Sequence, residues 1–170
     1  KLHSGTNIKN LISSSNWKLS AGGFSFFTEN KRYKIQLGAF DINNANSSMR
    51  IQSIKVIPQF TEAAFSRILK KQEDLYDLEF RNIVLAGIDT RLLILKKRLE
   101  AATATLQPVV KIYRDRTVAE DLDSKVGKYP HQMLQTIKFP FSIKKLTIRN
   151  GTVSYSEKAE VLAKKQIVPV

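Results

Sequence analysis

An alternation that breaks step is the feature that most constrains this chain. Residues 33–42 (YKIQLGAFDI), 49–57 (MRIQSIKVI) and 78–85 (LEFRNIVL) alternate apolar with polar side chains, and each slips phase once near its middle. Successive strand side chains point to opposite faces, so the alternation predicts strands that are wet on one side. After Ile51 the apolar positions resume at Ile54 and Val56, and after Leu78 and Phe80 they resume at Ile83 and Leu85. A slip of one residue would turn everything beyond it to the wrong face, so each slip predicts a bulge or a break. The runs repeat in pattern and not in letters, without the fixed-period identity of a solenoid.

Residues 139–158 (FPFSIKKLTIRNGTVSYSEK) repeat the pattern around Asn150-Gly151. Leu146 and Ile148 alternate with Lys145, Thr147 and Arg149 before that pair, and Val153 and Tyr155 with Thr152, Ser154 and Ser156 after it. Asn-Gly suits a type I′ turn, in which both central residues need positive φ, and predicts a hairpin here.

Along the rest of the chain the signals alternate between strand and helix. Trp17, Leu19, Gly22-Gly23 and Phe24, Phe26 and Phe27 lead into a polar turn at 28–32, and residues 43–48 (NNANSS) form a second, so the first third reads as an antiparallel meander. Thr61 suits a helix N-cap, with Phe60 and Phe65 placed as a hydrophobic staple, and Asp89 suits a second. Helices are expected near 61–73 and 89–99, and a short one near 130–137 that starts at Pro130. Residues 101–113 return to strand, and residues 114–128 read as an exposed loop. The expected fold class is α+β: a mostly antiparallel, curved sheet with two longer helices and one short helix packed on it, forming a single β-rich module over residues 1–170.

A net charge of +13 fits nucleic acid, anionic headgroups or solubility beside an acidic neighbour, and does not choose among them. With no cysteine in the chain, disulfides, thiolate zinc sites and a cysteine nucleophile are excluded. No apolar run approaches the roughly 20 residues that a membrane-spanning helix needs.

Little in the sequence invites catalysis. His3 and His131 are far apart in the chain, and no metal site or other cofactor is expected. Glu73, Asp74 and Asp77 read as solvated groups at a helix end, with the two aspartates as turn formers. Tyr113-Arg114-Asp115-Arg116 reads as a surface ion pair at a strand end, since neither a nucleophile nor a glycine-rich phosphate loop accompanies it. Phe24, Phe26, Phe27 and Tyr33 lie near Lys31, Arg32 and Lys34, a combination that single-stranded nucleic-acid binders use to stack bases. The chain is therefore expected not to be an enzyme.

The order of motifs resembles the periplasmic AsmA-like proteins of bacterial envelopes. It runs from IQSIKVIP through a helix ending in Gln72, Glu73 and Asp74, then LEFRNIVLAGID, a second helix, VVKIYRDR and a loop to Pro130, and ends on IKKLTIRNGTVSYSEK. In that family a strand, Asn-Gly and a strand ending in Tyr-x-Glu recur, here as Asn150, Gly151, Tyr155 and Glu157. The likeness runs from about Trp17 to Lys158.

The resemblance implies long curved antiparallel sheets whose apolar concave side carries phospholipid or another envelope lipid between membranes, with no catalytic residues and no cofactor. It further implies a periplasmic, membrane-associated segment of a longer protein, joined to neighbouring segments and anchored to the inner membrane by a part outside this sequence. Two features depart from it: the piece is too short to span an envelope, and its helices could close a groove that longer relatives keep open. The candidate apolar face comprises Ile35, Leu37, Ile51, Ile54, Leu78, Phe80, Ile83, Leu85, Leu146, Ile148, Val153 and Tyr155, whose bland alternative is an ordinary covered core. The rival readings are a basic single-stranded nucleic-acid-binding domain and a purely structural or protein-interaction module.

Overall fold

The computed structural model describes residues 16–120 and 139–159. Strands β1 (Lys18–Ala21), β2 (Phe24–Phe27), β3 (Tyr33–Leu37), β4 (Phe40–Asn43) and β5 (Ser48–Pro58) come first. Helix α1 (Glu62–Ile68), β6 (Asp74–Ala86), α2 (Thr90–Lys96), β7 (Leu99–Asp115), β8 (Phe141–Ile148) and β9 (Thr152–Lys158) follow. All nine strands join one sheet, and several of them lie end to end. β3 and β4 pair with opposite halves of β5, and β8 and β9 pair with opposite halves of β7. β2 pairs with β3 and β1 with β4. Six rows result: β1/β2, β3/β4, β5, β6, β7 and β8/β9.

The phase slips of the sequence fall at one level across these rows. Leu37 pairs with Ile54 and Phe40 with Ile51, which sets Gly38-Ala39 opposite Gln52-Ser53. The ladder survives the break, since Gly38 N–H donates to Ser53 C=O at 2.8 Å and Gln52 N–H to Ala39 C=O at 2.9 Å. On β6 the slip falls at Asn82, whose φ of 50° is left-handed and whose side-chain amide donates to Gln107 at 2.9 Å. Asparagine tolerates that conformation better than most residues. Between β1 and β2 the slip is at Gly22-Gly23. A Cβ on Gly23 would stand 2.4 Å from the Leu37 carbonyl oxygen, so only glycine admits the neighbouring row this closely.

From Ala104 to Ile112 β7 keeps its phase through this level, with Ala104, Leu106, Pro108, Val110 and Ile112 all on one side. Its neighbours must therefore absorb the difference. The register with β6 shifts between Arg81 and Val84, where β6 carries one residue more than β7. On the other side Leu106 pairs with Ile148 and Val109 with Thr152, so the β8/β9 row also carries one extra residue.

That extra residue corrects the expected hairpin. Asn150 does take positive φ, at 48°, but Gly151 does not, and a type I′ turn needs both. One left-handed residue offsets the strand and lets it continue, so β8 and β9 run onward together, both parallel to β7. Gly151 passes the Pro108 ring, where a Cβ would stand 3.2 Å from Cγ.

The expected α+β class is overturned as well. The described chain is dominated by strands in one mixed sheet, and each of its helices has seven residues. The caps stand where expected: Thr61 Oγ1 accepts from Ala64 N–H at 3.3 Å, and Asp89 Oδ1 accepts from Arg91 and Leu92 N–H at 2.9 and 3.0 Å. The helix ends do not, because other bonds claim the following residues. Leu69 is extended, and Gln72 is drawn away by the Val118 and Ala119 carbonyls. α2 stops at Lys97, whose left-handed backbone (φ 50°) starts the turn into β7. The short helix expected near 130–137 and residues 121–128 of the expected loop lie outside the described residues, while Arg114 and Asp115 of that loop belong to β7.

Row continuity and chain reversal place Val153 differently. Val110→Cys with Val153→Cys is expected to form a disulfide readily, because these residues are partners on adjacent strands. Ile148→Cys with Val153→Cys, which a two-residue hairpin would set face to face, is expected to stay reduced. Thiol titration after mild oxidation checks both.

Candidate functional site

Partners across a ladder share a face, so the pairings trace apolar rows across the whole sheet. Phe26, Ile35, Val56, Leu78, Val110 and Val153 form one. Phe24, Leu37, Ile54, Phe80 and Pro108 form the next. Beyond the line of slips, Leu19, Ile42, Met49, Leu85, Ala104 and Leu146 form another. The slips keep both sets on one side: Leu37, Ile54 and Phe80 pack in the same cluster as Ile51, Ile83 and Leu85.

All twelve residues expected on the apolar face belong to these strands, but in different settings. Ile51, Ile83 and Leu85 are buried core, as the bland reading has it. Ile35, Leu37, Ile54, Leu78 and Phe80 are half-buried. Leu146, Ile148, Val153 and Tyr155 are exposed, Val153 at 71%. Phe24, Phe26, Val56, Val110 and Ile112 belong to the same side; extending the alternation to 24–26 and 108–112 finds four of them, and Val56 continues the 49–57 run.

The two helices treat the faces differently. In the half of the sheet with β1, β4 and β8, here the far half, Leu93 of α2 and Trp17 pack on the apolar side against Ile42, Ile88 and Ala104. In the near half, with β2, β3 and β9, Phe65 of α1 packs with Leu75 and Tyr113, which alternate against Tyr76 and Ile112 and so lie on the opposite side. α1 therefore backs the sheet and leaves the near apolar rows open.

The other face is polar and internally paired. Lys55 Nζ lies 3.0 Å from Glu79, which also accepts from Arg81; the Arg81 hydrogen bond foremost, then that of Lys55, pulls the Glu79 carboxyl from 4.5 to about 2. Asp74 and Asp77 lie within β6, which corrects their reading as turn formers. Lys111 reaches Asp77 on this face at 3.4 Å, whereas Asp74, Tyr76 and Arg114 alternate with it and lie at the near end of the apolar side, where Arg114 grips Asp74 through two bonds of 2.6 and 2.9 Å; Arg32 reaches Glu73 at 2.7 Å. Tyr76 donates to Asp74 at 3.2 Å; burial, with that carboxylate added, pushes its hydroxyl up to about 12.

Asp115 corrects another expectation, because it is 1% exposed and no surface group. Burial opposes its ionisation, yet bonds from Ser66, from the Thr117 hydroxyl and N–H (2.6 and 2.9 Å) and from Lys158 (3.1 Å) outweigh it. They hold the carboxyl well below the usual carboxylate range. The node ties α1, the end of β7 and the end of β9 together, which fixes the outer row of the open face. Beside it, Glu157 accepts from Arg116 at 2.6 Å and from the Tyr155 hydroxyl at 3.0 Å.

Among the described residues no cluster of three His, Asp or Glu stands ready for a metal ion, and no helix is long and apolar enough to cross a membrane. His3 and His131 lie outside the described residues. The aromatic and basic residues of 24–34 separate by face. Phe24 and Phe26, stacked with centroids 6.3 Å apart, join the apolar rows, whereas Phe27 pairs with Lys34 on the other side. Compared with known proteins, the chain matches no family model, no curated protein and no solved structure.

Asp115 and Glu79 set an acid limit. A carboxyl whose folded pKa is depressed adds stability above its unfolded value, 3.8 for Asp115 and 4.5 for Glu79, and loses it as pH falls through the folded value. Stability is thus expected to fall from about pH 4.5 downward. Asp115→Asn should cost about 1–3 kcal/mol at pH 7, since buried donors lose a charged acceptor, and should flatten the acid loss. Urea unfolding at pH 7, 4 and 3 reads both effects.

Proposed function

We propose that this chain is a non-enzymatic, lipid-handling segment of an AsmA-like envelope protein. In this reading the open apolar side of the sheet holds acyl chains of phospholipid or another envelope lipid, in the periplasm, beside neighbouring segments of the same protein. One observation carries the reading: the apolar rows run through every row of the sheet and end at both edges on exposed Phe24, Phe26, Leu146, Ile148, Val153 and Tyr155. Monomers rarely expose contiguous apolar surface beyond a few hundred Å² unless something binds there. The physics suits an acyl chain, which needs length, apolarity and no hydrogen-bond partner. The paired charges opposite give that face its solubility, and α1 stiffens the sheet from behind without covering the rows. A base-stacking platform is less well served, because Lys34 faces away from Phe24 and Phe26.

Native mass spectrometry of the purified chain is expected to show co-purified phospholipid. Ile148→Glu with Val153→Glu should cut retained lipid at least several-fold by placing charge among the acyl chains. Their exposure limits the stability cost to about 1 kcal/mol each. Lipid-free protein that binds single-stranded nucleic acid tightly, with steep salt dependence, would replace this reading by its rival.

A further inference from the structure

The far end of the sheet carries a different kind of surface. In α2 four consecutive residues, Leu92, Leu93, Ile94 and Leu95, are aliphatic. Leu93 suffices to cover the core, and Leu95 is left 48% exposed. A helix that is apolar all round is normally buried; this one lies at the surface, with Arg91 at its start and Lys96 and Lys97 at its end, all exposed. Leu99 N–H donates to Pro140 C=O at 3.0 Å and Leu99 pairs with Phe141, so two further exposed rings, Phe139 and Phe141, stand beside the strand that leaves the helix.

Both halves carry an excess of positive charge, and what marks this end is how its cations stand beside the apolar groups. In the near half Glu73, Asp74, Asp77, Glu79, Asp115 and Glu157 each hold a lysine or arginine. The far half (residues 16–21, 39–51, 83–106 and 139–148) has eight lysines and arginines and three carboxylates. Those three are engaged: Asp41 accepts from Ser20, Asp89 caps α2 and Glu100 pairs with Arg98. Uncompensated positive charge, Arg91, Lys96 and Lys97 among it, thus stands beside the exposed Leu95, Phe139 and Phe141.

We propose that this end of the sheet docks on the surface of an anionic lipid bilayer. Leu95, Phe139 and Phe141 enter the boundary between headgroups and acyl chains, while Arg91, Lys96 and Lys97 meet the headgroup phosphates. A nucleic acid or an acidic protein would use the cations and leave the apolar side chains in water, whereas a bilayer uses both. Docking does not depend on acyl chains being held along the sheet.

The test is flotation of the whole chain with phosphatidylcholine vesicles, with and without phosphatidylglycerol, across a salt series. Binding is expected to need phosphatidylglycerol and to weaken with salt. Each lysine near an anionic surface is worth about fivefold, so Lys96→Glu with Lys97→Glu should lower partitioning at least about tenfold. Leu95→Ser with Phe141→Ser should lower it several-fold at unchanged charge, and Lys34→Glu in the near half should leave it alone. Far-ultraviolet circular dichroism verifies that each variant is folded; Lys96 and Lys97, being exposed, are the safer pair. No flotation, or flotation indifferent to Lys96 and Lys97, overturns the proposal. Flotation that is indifferent to Leu95 and Phe141, and is displaced by single-stranded nucleic acid, overturns it in favour of a general polyanion surface. Lipid retained by a chain that does not float defeats docking alone, and flotation of a lipid-free chain defeats only the lipid-handling reading.

Discussion

Backbone hydrogen bonding between neighbouring rows is the constraint on which this molecule depends. A strand that turns its apolar residues over by one position leaves its partner with two options: to slip at the same level, or to open a bulge. β3/β4 and β5 slip together, and the ladder passes through Gly38 and Gln52 without loss. β7 does not slip at this level, so the extra residue appears as an offset in β6 on one side and in β8/β9 on the other. The result is a single transverse line of irregularities, marked by glycines at one side of the sheet and by left-handed Asn82 and Asn150 toward the other. Without it, Ile51 and Ile54 would face opposite ways and no apolar side would extend across the sheet.

Once the sides are fixed, the helices divide the labour. Seven residues cover little area, so neither helix can bury a sheet side whose rows run through every strand. α2 takes the apolar side at one end, where Ile42, Ile83, Leu85 and Ala104 are buried, and α1 takes the other side at the opposite end, around Phe65. Between them the near apolar rows remain half-buried in the middle and open at the edges.

Electrostatics follows the same division. Cross-strand pairs such as Lys55–Glu79 and Arg114–Asp74 engage the carboxylates of the near half, and the buried Asp115 node closes it against α1. Both halves keep an excess of positive charge, and at the far end Arg91, Lys96 and Lys97 bring it beside exposed Leu95. The overall excess of +13 is therefore less informative than its placement, because only uncompensated cations beside exposed apolar groups make a surface suited to a partner.

Much of this was legible in the residues. The period-two runs fixed the strands, the slips at 38–39, 52–53 and 82 fixed where the alternation turns over, and Thr61 and Asp89 fixed where helices begin, because all of these act over one or a few residues. The twelve residues of the expected apolar face were legible as strand residues for the same reason. What the sequence could not decide was long-range. Asn150-Gly151 is compatible with a reversal or with a one-residue offset, and only the long edge of β7, which accepts both β8 and β9 in parallel, selected the offset. Helix lengths were overestimated because the Val118 and Ala119 carbonyls that claim Gln72 lie far along the chain. Asp74 and Asp77 passed for turn formers because their partners Arg114 and Lys111 stand on another strand. Local chemistry thus determined which residues form strands and which side each side chain takes, while the pairing of distant strands decided the direction of the last row, the burial of Asp115 and which part of the apolar side stays open.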